Sequence, residues 1–377
     1  MPGLNGGGSV GRRSGDRLGV IVAGVLVITA IAACVPAPDR PAPPAEPRVA
    51  ISSGSLMLDG TEWWPAGFNA YQLATDWDIN DGCGAEVDLD KYFGALPEGS
   101  LTRFNAFQTF AVDKTSGEIN YEPLDAVLRA AERHGQLVIP VLSGQDGACD
   151  GEVFKQYPWY VSGWRDAPMP LLTFEHWARS LVSRWSDSPV VAAWELVGEP
   201  EPAACTDASC AAESRECPAD AALVLRRFFD EAGAIVRALD PGRLITAGYL
   251  GGDQCGTAGE DFMVPSASRH VDVLQFHDYA IDDPLQVGEH RESLEARSQQ
   301  ARQLGKPLLV AEIGVSAGSC RSVEERADLI AARIREYHLL GAAGVLVWSF
   351  VPDPRTSQCT MDVGPGDPLW GMIGQFS

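Results

Sequence analysis

The sequence predicts an α/β protein built as a (β/α)8 TIM barrel. Three observations predict it. Eight short runs rich in Val, Ile, Leu and aromatic residues recur between residues 50 and 377, apolar on both faces as buried parallel strands require. Amphipathic helical patterns alternate with them over more than about 250 residues, the size of such a barrel. The rival doubly wound sheet needs a Gly-rich phosphate turn after its first strand. The segment AYQLATDW after Asn69 has none.

The strand candidates are Trp64–Asn69, Leu101–Phe110, Gln136–Ser143, Val190–Val197, Arg243–Tyr249, Val271–His277, Pro307–Ile313 and Gly344–Phe350. The helix candidates are Glu122–His134, Phe174–Trp185, Ala219–Leu239, Glu289–Leu304 and Val323–Leu340. Three of these stop at Gly135, Gly305 and Gly341, as glycine C-caps. Ala219–Leu239 stops before Pro241, which cannot continue a helix. Only 27 residues follow Phe350, so the last helix is expected to be short.

Residues 1–33 read as an export signal of the lipoprotein type. Arg12, Arg13 and Arg17 precede an uncharged run from Leu18 to Ala33, short for a membrane span of roughly 20 residues but right for a signal peptide. The run ends Ile31-Ala32-Ala33-Cys34, which resembles a bacterial lipobox and makes Cys34 the candidate for lipidation. A plain signal peptide or an uncleaved anchor are the alternatives. Arg12-Arg13 also hints at twin-arginine export, although the apolar residues expected just after the pair are missing. Residues 34–49 form a proline-rich linker, extended and polyproline-like, between a membrane lipid and residues 50–377.

Charge narrows the partners. Lys+Arg 29 against Asp+Glu 51 gives −22, which repels phosphate backbones, so no nucleic acid is expected. Besides Cys34, eight cysteines remain, all after a strand candidate and before the next helix, on the face of a barrel where sites are built. That even number in an exported chain predicts disulfides. Cys320 and Cys359 lie on the neighbouring seventh and eighth loops and are expected to pair. No metal and no cofactor is expected, because Cys205, Cys210 and Cys217 lack metal spacing or an attendant His. His134, His176, His270, His290 and His338 also lack metal spacing.

The chemistry centres on two carboxylates. Glu199, in WELVGEPE, follows the fourth strand candidate, and Glu312, in KPLLVAEIG, ends the seventh. Strand C-termini are where barrel catalysis occurs, and these two strands face each other across an eight-stranded barrel. Two converging carboxylates are what glycoside hydrolysis needs: one protonates the leaving oxygen, the other attacks the anomeric carbon or activates water.

These motifs resemble glycoside hydrolase family 5, retaining enzymes of clan A. WELVGEP matches the family's Trp-Glu-Leu-x-Asn-Glu-Pro except at Gly198, and KPLLVAEIG matches its nucleophile strand. GFNAYQL around Asn69, LTRFNAF around Arg103, VDVLQFHDYA and GVLVWSF fall in register. KQYPWYVSGW and SPVVAAWEL resemble the endo-β-1,4-mannanases of the family. The resemblance implies a polysaccharide substrate, Glu199 as acid/base and Glu312 as nucleophile. It further implies Arg103 bonded to the nucleophile, His277 and Tyr279 at the −1 sugar and nucleophile, Trp348 as sugar platform and Asn69 in the binding set. A monomer is expected.

Gly198 departs from the pattern. The family's Asn there bonds the substrate 2-hydroxyl, and glycine offers no side chain. Either a neighbouring group fills the space, or the enzyme is slow and Gly198→Asn should raise turnover, or it handles a sugar with altered C2 chemistry, or the chain is a glycan-binding pseudoenzyme. A further alternative is a serine esterase using Ser316, since Gly314-Val315-Ser316-Ala317-Gly318 fits a nucleophile elbow. His338 is the only later His, with little chain between for the intervening strands.

Overall fold

The computed structural model describes residues 48–79, 82–113, 115–150, 153–166, 171–282 and 293–376. The signal of residues 1–33, Cys34, the linker up to residue 47 and His290 lie outside the described residues.

Eight parallel strands form the centre: β1 (Ala66–Asn69), β2 (Leu101–Asn105), β3 (Leu137–Val141), β4 (Ala193–Glu195), β5 (Leu244–Thr246), β6 (Leu274–Asp278), β7 (Leu308–Gly314) and β8 (Val345–Trp348). They pair in chain order, and β8 pairs back onto β1. The ring closes between β5 and β6 through a parallel bridge from Thr246 to Val273. Every strand candidate therefore coincides with one barrel strand. All but β7 are shorter than their candidates, and β6 and β7 each end one residue later, at Asp278 and Gly314. Pro65 delays the start of β1, and β2 ends at Asn105 because the chain turns into a 3-10 helix at Gln108–Phe110.

The α-helices of four or more residues are α1 (Leu89–Gly94), α2 (Glu122–Arg133), α3 (Phe174–Trp185), α4 (Ala221–Leu239), α5 (Met263–Ser266), α6 (Leu294–Leu304), α7 (Val323–Leu340) and α8 (Pro368–Phe376). Local chemistry sets their ends. Thr173, Ser293 and Ser322 cap α3, α6 and α7 through side-chain oxygens. Gly305 and Gly341 close α6 and α7 in the left-handed conformation. The first four residues of the Glu289–Leu304 candidate lie outside the described residues. The two short helices, α1 and α5, carry too few turns to show a helical period and were not among the candidates.

One element differs from expectation. Val49–Ser52, Ser55–Leu58 and Thr61–Glu62 form an antiparallel three-stranded sheet. Val49, inside the expected linker, already belongs to it. Val49 and Leu56 pack against Leu101, Leu137, Ile139, Ala193, Leu309 and Leu346 and close the N-terminal end of the barrel. The signal was present: Ser53-Gly54 and Asp59-Gly60, all at positive φ, separate short alternating runs.

Four disulfides tie the loops at the opposite, C-terminal end: Cys83–Cys149, Cys205–Cys210, Cys217–Cys255 and the expected Cys320–Cys359. The last has Cα atoms 5.2 Å apart and joins the seventh and eighth loops, beside a two-stranded pairing of Ala317–Gly318 with Cys359–Thr360. Among the described residues no helix is long and apolar enough to cross a membrane. Replacing Cys320 and Cys359 together by Ser is expected to lower unfolding free energy by about 2–4 kcal/mol, because the unfolded chain regains loop entropy. Guanidinium unfolding of both proteins measures the difference, and equal midpoints refute it.

Candidate active site

Strand parity aims a set of polar side chains into the upper barrel. On β2, Leu101 points into the lower core, so Arg103 two residues on points the same way, higher up. Ala193 places Glu195 likewise on β4, and Val273 places Gln275 and His277 on β6. β7 breaks the rule. Leu309 and Ala311 face inward, so Glu312 should face out. A register shift pairs Gln275 with Leu309 but His277 with Glu312. This bulge turns Glu312 inward, as bulges beside sites commonly do.

Arg103 is the hub. Its Nε donates to Glu195 Oε2 at 2.9 Å and its Nη2 to Glu195 Oε1 at 2.6 Å. Its Nη1 donates to Glu312 Oε1 at 2.7 Å and to Asn69 Oδ1 at 2.9 Å. Asn69 in turn donates to the Ala311 carbonyl at 2.7 Å. Gln275 Nε2 donates to Glu195 Oε2 at 2.8 Å. Burial alone would lower the Arg103 pKa, but the charge and hydrogen bonds of Glu195 and the charge of Glu312 hold it above the ordinary value. The guanidinium stays charged.

Around Glu312 the expected residues converge. The Tyr279 hydroxyl donates to Glu312 Oε2. Burial, then the charges of Glu312 and Glu199, push the Tyr279 pKa well up, so it remains a donor. Tyr279 reaches that position because Gly314 has no side chain: a Cβ there would sit 2.4 Å from the tyrosine ring. His277 Nδ1 lies 2.7 Å from Glu199 Oε1 and 3.5 Å from Glu312 Oε2. One oxygen of Glu199, one of Glu312 and a His277 ring nitrogen all lie within 4.8 Å of one another. Divalent ions also use such spacing. Here the Arg103 guanidinium already bonds Glu312, and a fixed positive charge at that point favours paired carboxylates over a cation site.

Glu199 is held at φ 57, its N–H donating to the Gly248 carbonyl at 2.7 Å. Gly248 is itself at φ 70, and a Cβ there would lie 2.0 Å from the Val197 carbonyl. Such backbone strain in a non-glycine residue is typical of functional positions. The Glu199 side chain is 39% exposed and that of Glu312 5%, so the first faces the cleft and the second lies beneath it. Burial works to raise Glu199, but the hydrogen bond and charge of His277, with Arg103, outweigh it and hold its pKa below the usual value. Burial raises Glu312 above its usual value, against the pull of His277 and Arg103. Carboxyls this close titrate as a pair.

A cleft of about 930 Å3 opens over these groups, lined by Tyr71, Asn105, Gly198, Glu199, Glu312 and Trp348 among others. Trp348 stacks on Tyr71 with ring centroids 5.7 Å apart and 17° between planes, a flat apolar wall. Thus Asn69, Arg103, Gly198, Glu199, His277, Tyr279, Glu312 and Trp348 meet at one place. Glu195, Gln275 and Tyr71 belong with them and were not singled out from sequence. The two-residue spacing behind Ala193 and Val273 was the available signal for the first two.

Ser316 lines the cleft too, but as a loop anchor. Its N–H donates to Asp282 Oδ2 and its carbonyl accepts from Arg321 Nη1 at 2.6 Å. His338, the base an esterase needs, stacks on Trp64 at 3.8 Å, just before the start of β1 at the other end of the barrel.

With this geometry in hand, comparison with known proteins is informative. Residues 115–350 match the family described as Cellulase (glycosyl hydrolase family 5). The chain belongs to glycosyl hydrolase family 5. Among curated relatives, the probable mannan endo-1,4-beta-mannosidase F of Aspergillus flavus is 27% identical over 301 residues, 70% of this chain and 60% of that protein. The protein of that name from Neosartorya fischeri is 26% identical over 359 residues, 83% and 72% of the two chains. The chain spans less than two thirds of the Aspergillus flavus protein's length. The endo-1,4-beta-mannanase structure from Rhizomucor miehei shares the fold with TM-score 0.64 and 16% identity, over 86% of this chain and 96% of that one. The hyperthermostable mannanase from Thermotoga petrophila gives 0.61 at 16% identity, over 83% and 99%. The family's (β/α)8 barrel is therefore present here.

Glu195→Ala would leave Arg103 buried with one carboxylate fewer. Breaking a buried pair typically costs about 3–5 kcal/mol. Thermal unfolding should show that loss, and a Tm within a degree of the parent's would show that Glu195 does not compensate Arg103.

Proposed function

We propose that the protein is an extracytoplasmic retaining glycoside hydrolase that cleaves β-1,4-linked mannan by double displacement. The observation that carries the reading is the closeness of Glu199 and Glu312, with facing atoms inside 4.8 Å. Retaining enzymes separate their carboxyls by roughly 5–5.5 Å, and inverting enzymes by roughly 6.5–9.5 Å to admit a water.

Glu312 attacks the anomeric carbon as the bond to the leaving oxygen breaks, and Glu199 gives that oxygen its proton. Water then enters, Glu199 takes a proton from it, and the oxygen displaces Glu312 from the sugar. Arg103 and Tyr279 favour the ionised form of Glu312. In the free site His277 keeps Glu199 ionised. A leaving oxygen seated between Glu199 and His277 breaks that contact, raises the Glu199 pKa and keeps the proton where it is needed. The Trp348–Tyr71 wall suits the apolar face of a pyranose, and the mannanase relatives support mannan as the polymer.

Four disulfides support a location outside the cytoplasm. Ile31-Ala32-Ala33-Cys34 supports a lipid anchor at Cys34, with residues 34–47 as the tether.

Reducing-sugar release from soluble β-mannan should disappear in Glu312→Ala and fall about 10²–10⁴-fold in Glu199→Ala. NMR should show the β-anomer as the first product; an α-anomer would overturn the retaining mechanism. Glycan binding by the parent with no release would make the protein a binder.

The pH profile carries its own sign. kcat/KM follows the singly protonated pair of the free enzyme. With Glu199 lowered and Glu312 raised from the same ordinary carboxyl value, the acid limb follows Glu199 and the basic limb Glu312, and the productive form, Glu199 protonated and Glu312 ionised, is the minor one in the free site. Tyr279→Phe removes a donor that lowers the Glu312 pKa, so the basic limb should move to higher pH. A limb that does not move would separate Tyr279 from the nucleophile's ionisation.

A further inference from the structure

Arginine offers five N–H donors in a rigid fork. Arg103 spends its Nε hydrogen and one Nη2 hydrogen on the two oxygens of Glu195, and both Nη1 hydrogens on Glu312 and Asn69. One Nη2 hydrogen is left without an acceptor among the described residues. The planar fork fixes where it points. The Nη2 hydrogen beside Nε belongs to the Glu195 edge, so the other lies at the end shared with Nη1, whose own hydrogens go to Glu312 and Asn69. Gly198 is next to that nitrogen: a Cβ built on it would be 3.0 Å from Arg103 Nη2, 3.4 Å from Val141 Cγ1 and 3.6 Å from Glu195 Oε1. Arg103 and Gly198 both line the cleft.

The other amides near this point are mostly committed. Gln145 Nε2 donates to the Lys155 carbonyl at 2.8 Å and the Glu201 carbonyl at 3.0 Å. Asn69 Nδ2 donates to the Ala311 carbonyl. Asn105 lines the same cleft and is the rival donor.

We propose that the fifth N–H of Arg103 donates to the C2 hydroxyl of the sugar at the cleavage point, and that Gly198 is the opening through which the sugar reaches it. The inference rests on the hydrolase reading above. The side chain that the family places at position 198 is replaced by a guanidinium from below, so Arg103 both positions the nucleophile and binds the substrate. A charged donor makes a shorter and stronger bond than an amide. The bond also strengthens during reaction. As Glu312 attacks and its charge passes into the new C–O bond, the guanidinium loses a competing acceptor and turns more of its polarity toward the sugar. A contact of that kind acts on kcat. Gly198→Asn is then expected to slow the enzyme, because Arg103, pinned by three partners, cannot yield to the new Cβ.

The test uses an aryl β-mannobioside and its counterpart lacking the C2 oxygen on the ring next to the aryl group. The quantity read is the ratio of kcat/KM on the two, in the parent and in Gly198→Ala. The intrinsic reactivity of the deoxy ring cancels between proteins, and so does any general loss. The alanine methyl fills the space beside Arg103 Nη2 and keeps the sugar from it, so the preference for the hydroxyl-bearing substrate should fall about ten- to a hundred-fold. Arg103→Lys keeps the charge but cannot span Glu195, Glu312 and the sugar together, and should lose the same preference. A parent that cleaves both substrates, with a ratio unchanged in these two variants, overturns the assignment and leaves the hydrolase reading standing. Collapse of the ratio in Asn105→Ala but not in Gly198→Ala gives the contact to Asn105 and also overturns it. A parent that cleaves neither substrate overturns the hydrolase reading and this inference with it.

Discussion

The guanidinium of Arg103 is the constraint around which the upper barrel is organised. Its side chain is 6% exposed, beside a Glu195 that is fully buried. A charge at that depth persists only when its surroundings return what water would have given it, and Glu195, Glu312 and Asn69 do so. Those partners come from three strands that are far apart in sequence. Each is therefore tied to the ring's register: a slip of one residue on β2, β4 or β7 would turn its polar group out of the barrel and orphan the rest. The bulge in β7 fits the same logic, because without it Glu312 would face the helices.

Rigidity continues upward from this centre. Tyr279 rests on Gly314, and Glu199 hangs from the Gly248 carbonyl in a backbone conformation that few side chains adopt without cost. The loops carrying these residues are long, and four disulfides limit their freedom. Cys83–Cys149 ties the first loop to the third, and Cys217–Cys255 ties the fourth to the fifth. The lower end needs no such help. There the antiparallel sheet around Val49 and Leu56 covers an apolar plug, held by burial, its own ladder and the Trp63 indole on the Gly99 carbonyl.

In the contact proposed for Arg103, one missing side chain at Gly198 redistributes a task. A family pattern with a glycine in place of an amide reads as loss. In the folded chain, the space that glycine leaves is bordered by a donor already present for another reason. Glu195 keeps that donor in place from below.

Much of this was legible in the residues alone. The eight barrel strands were readable because buried parallel strands are continuous apolar runs, and the long helices because their apolar faces and the stops at Gly135, Gly305 and Gly341 are local chemistry. The caps at Thr173, Ser293 and Ser322 were not read, and Ser293 falls inside the Glu289–Leu304 candidate. Glu199 and Glu312 were readable because barrel chemistry sits at strand ends, and Cys320 with Cys359 because neighbouring loops lie close. Tertiary structure decided the rest. Parity counted along β7 sends Glu312 outward, and only the cross-strand register with β6 reveals the bulge that reverses it. Glu195 and Gln275 look like ordinary strand residues until the ring closes and brings them onto Arg103. The donor left over on that arginine is visible only after its other four bonds have been counted in space. Propensity and capping act over a few residues and can be read in one dimension; pairing of buried charges acts across the barrel and cannot.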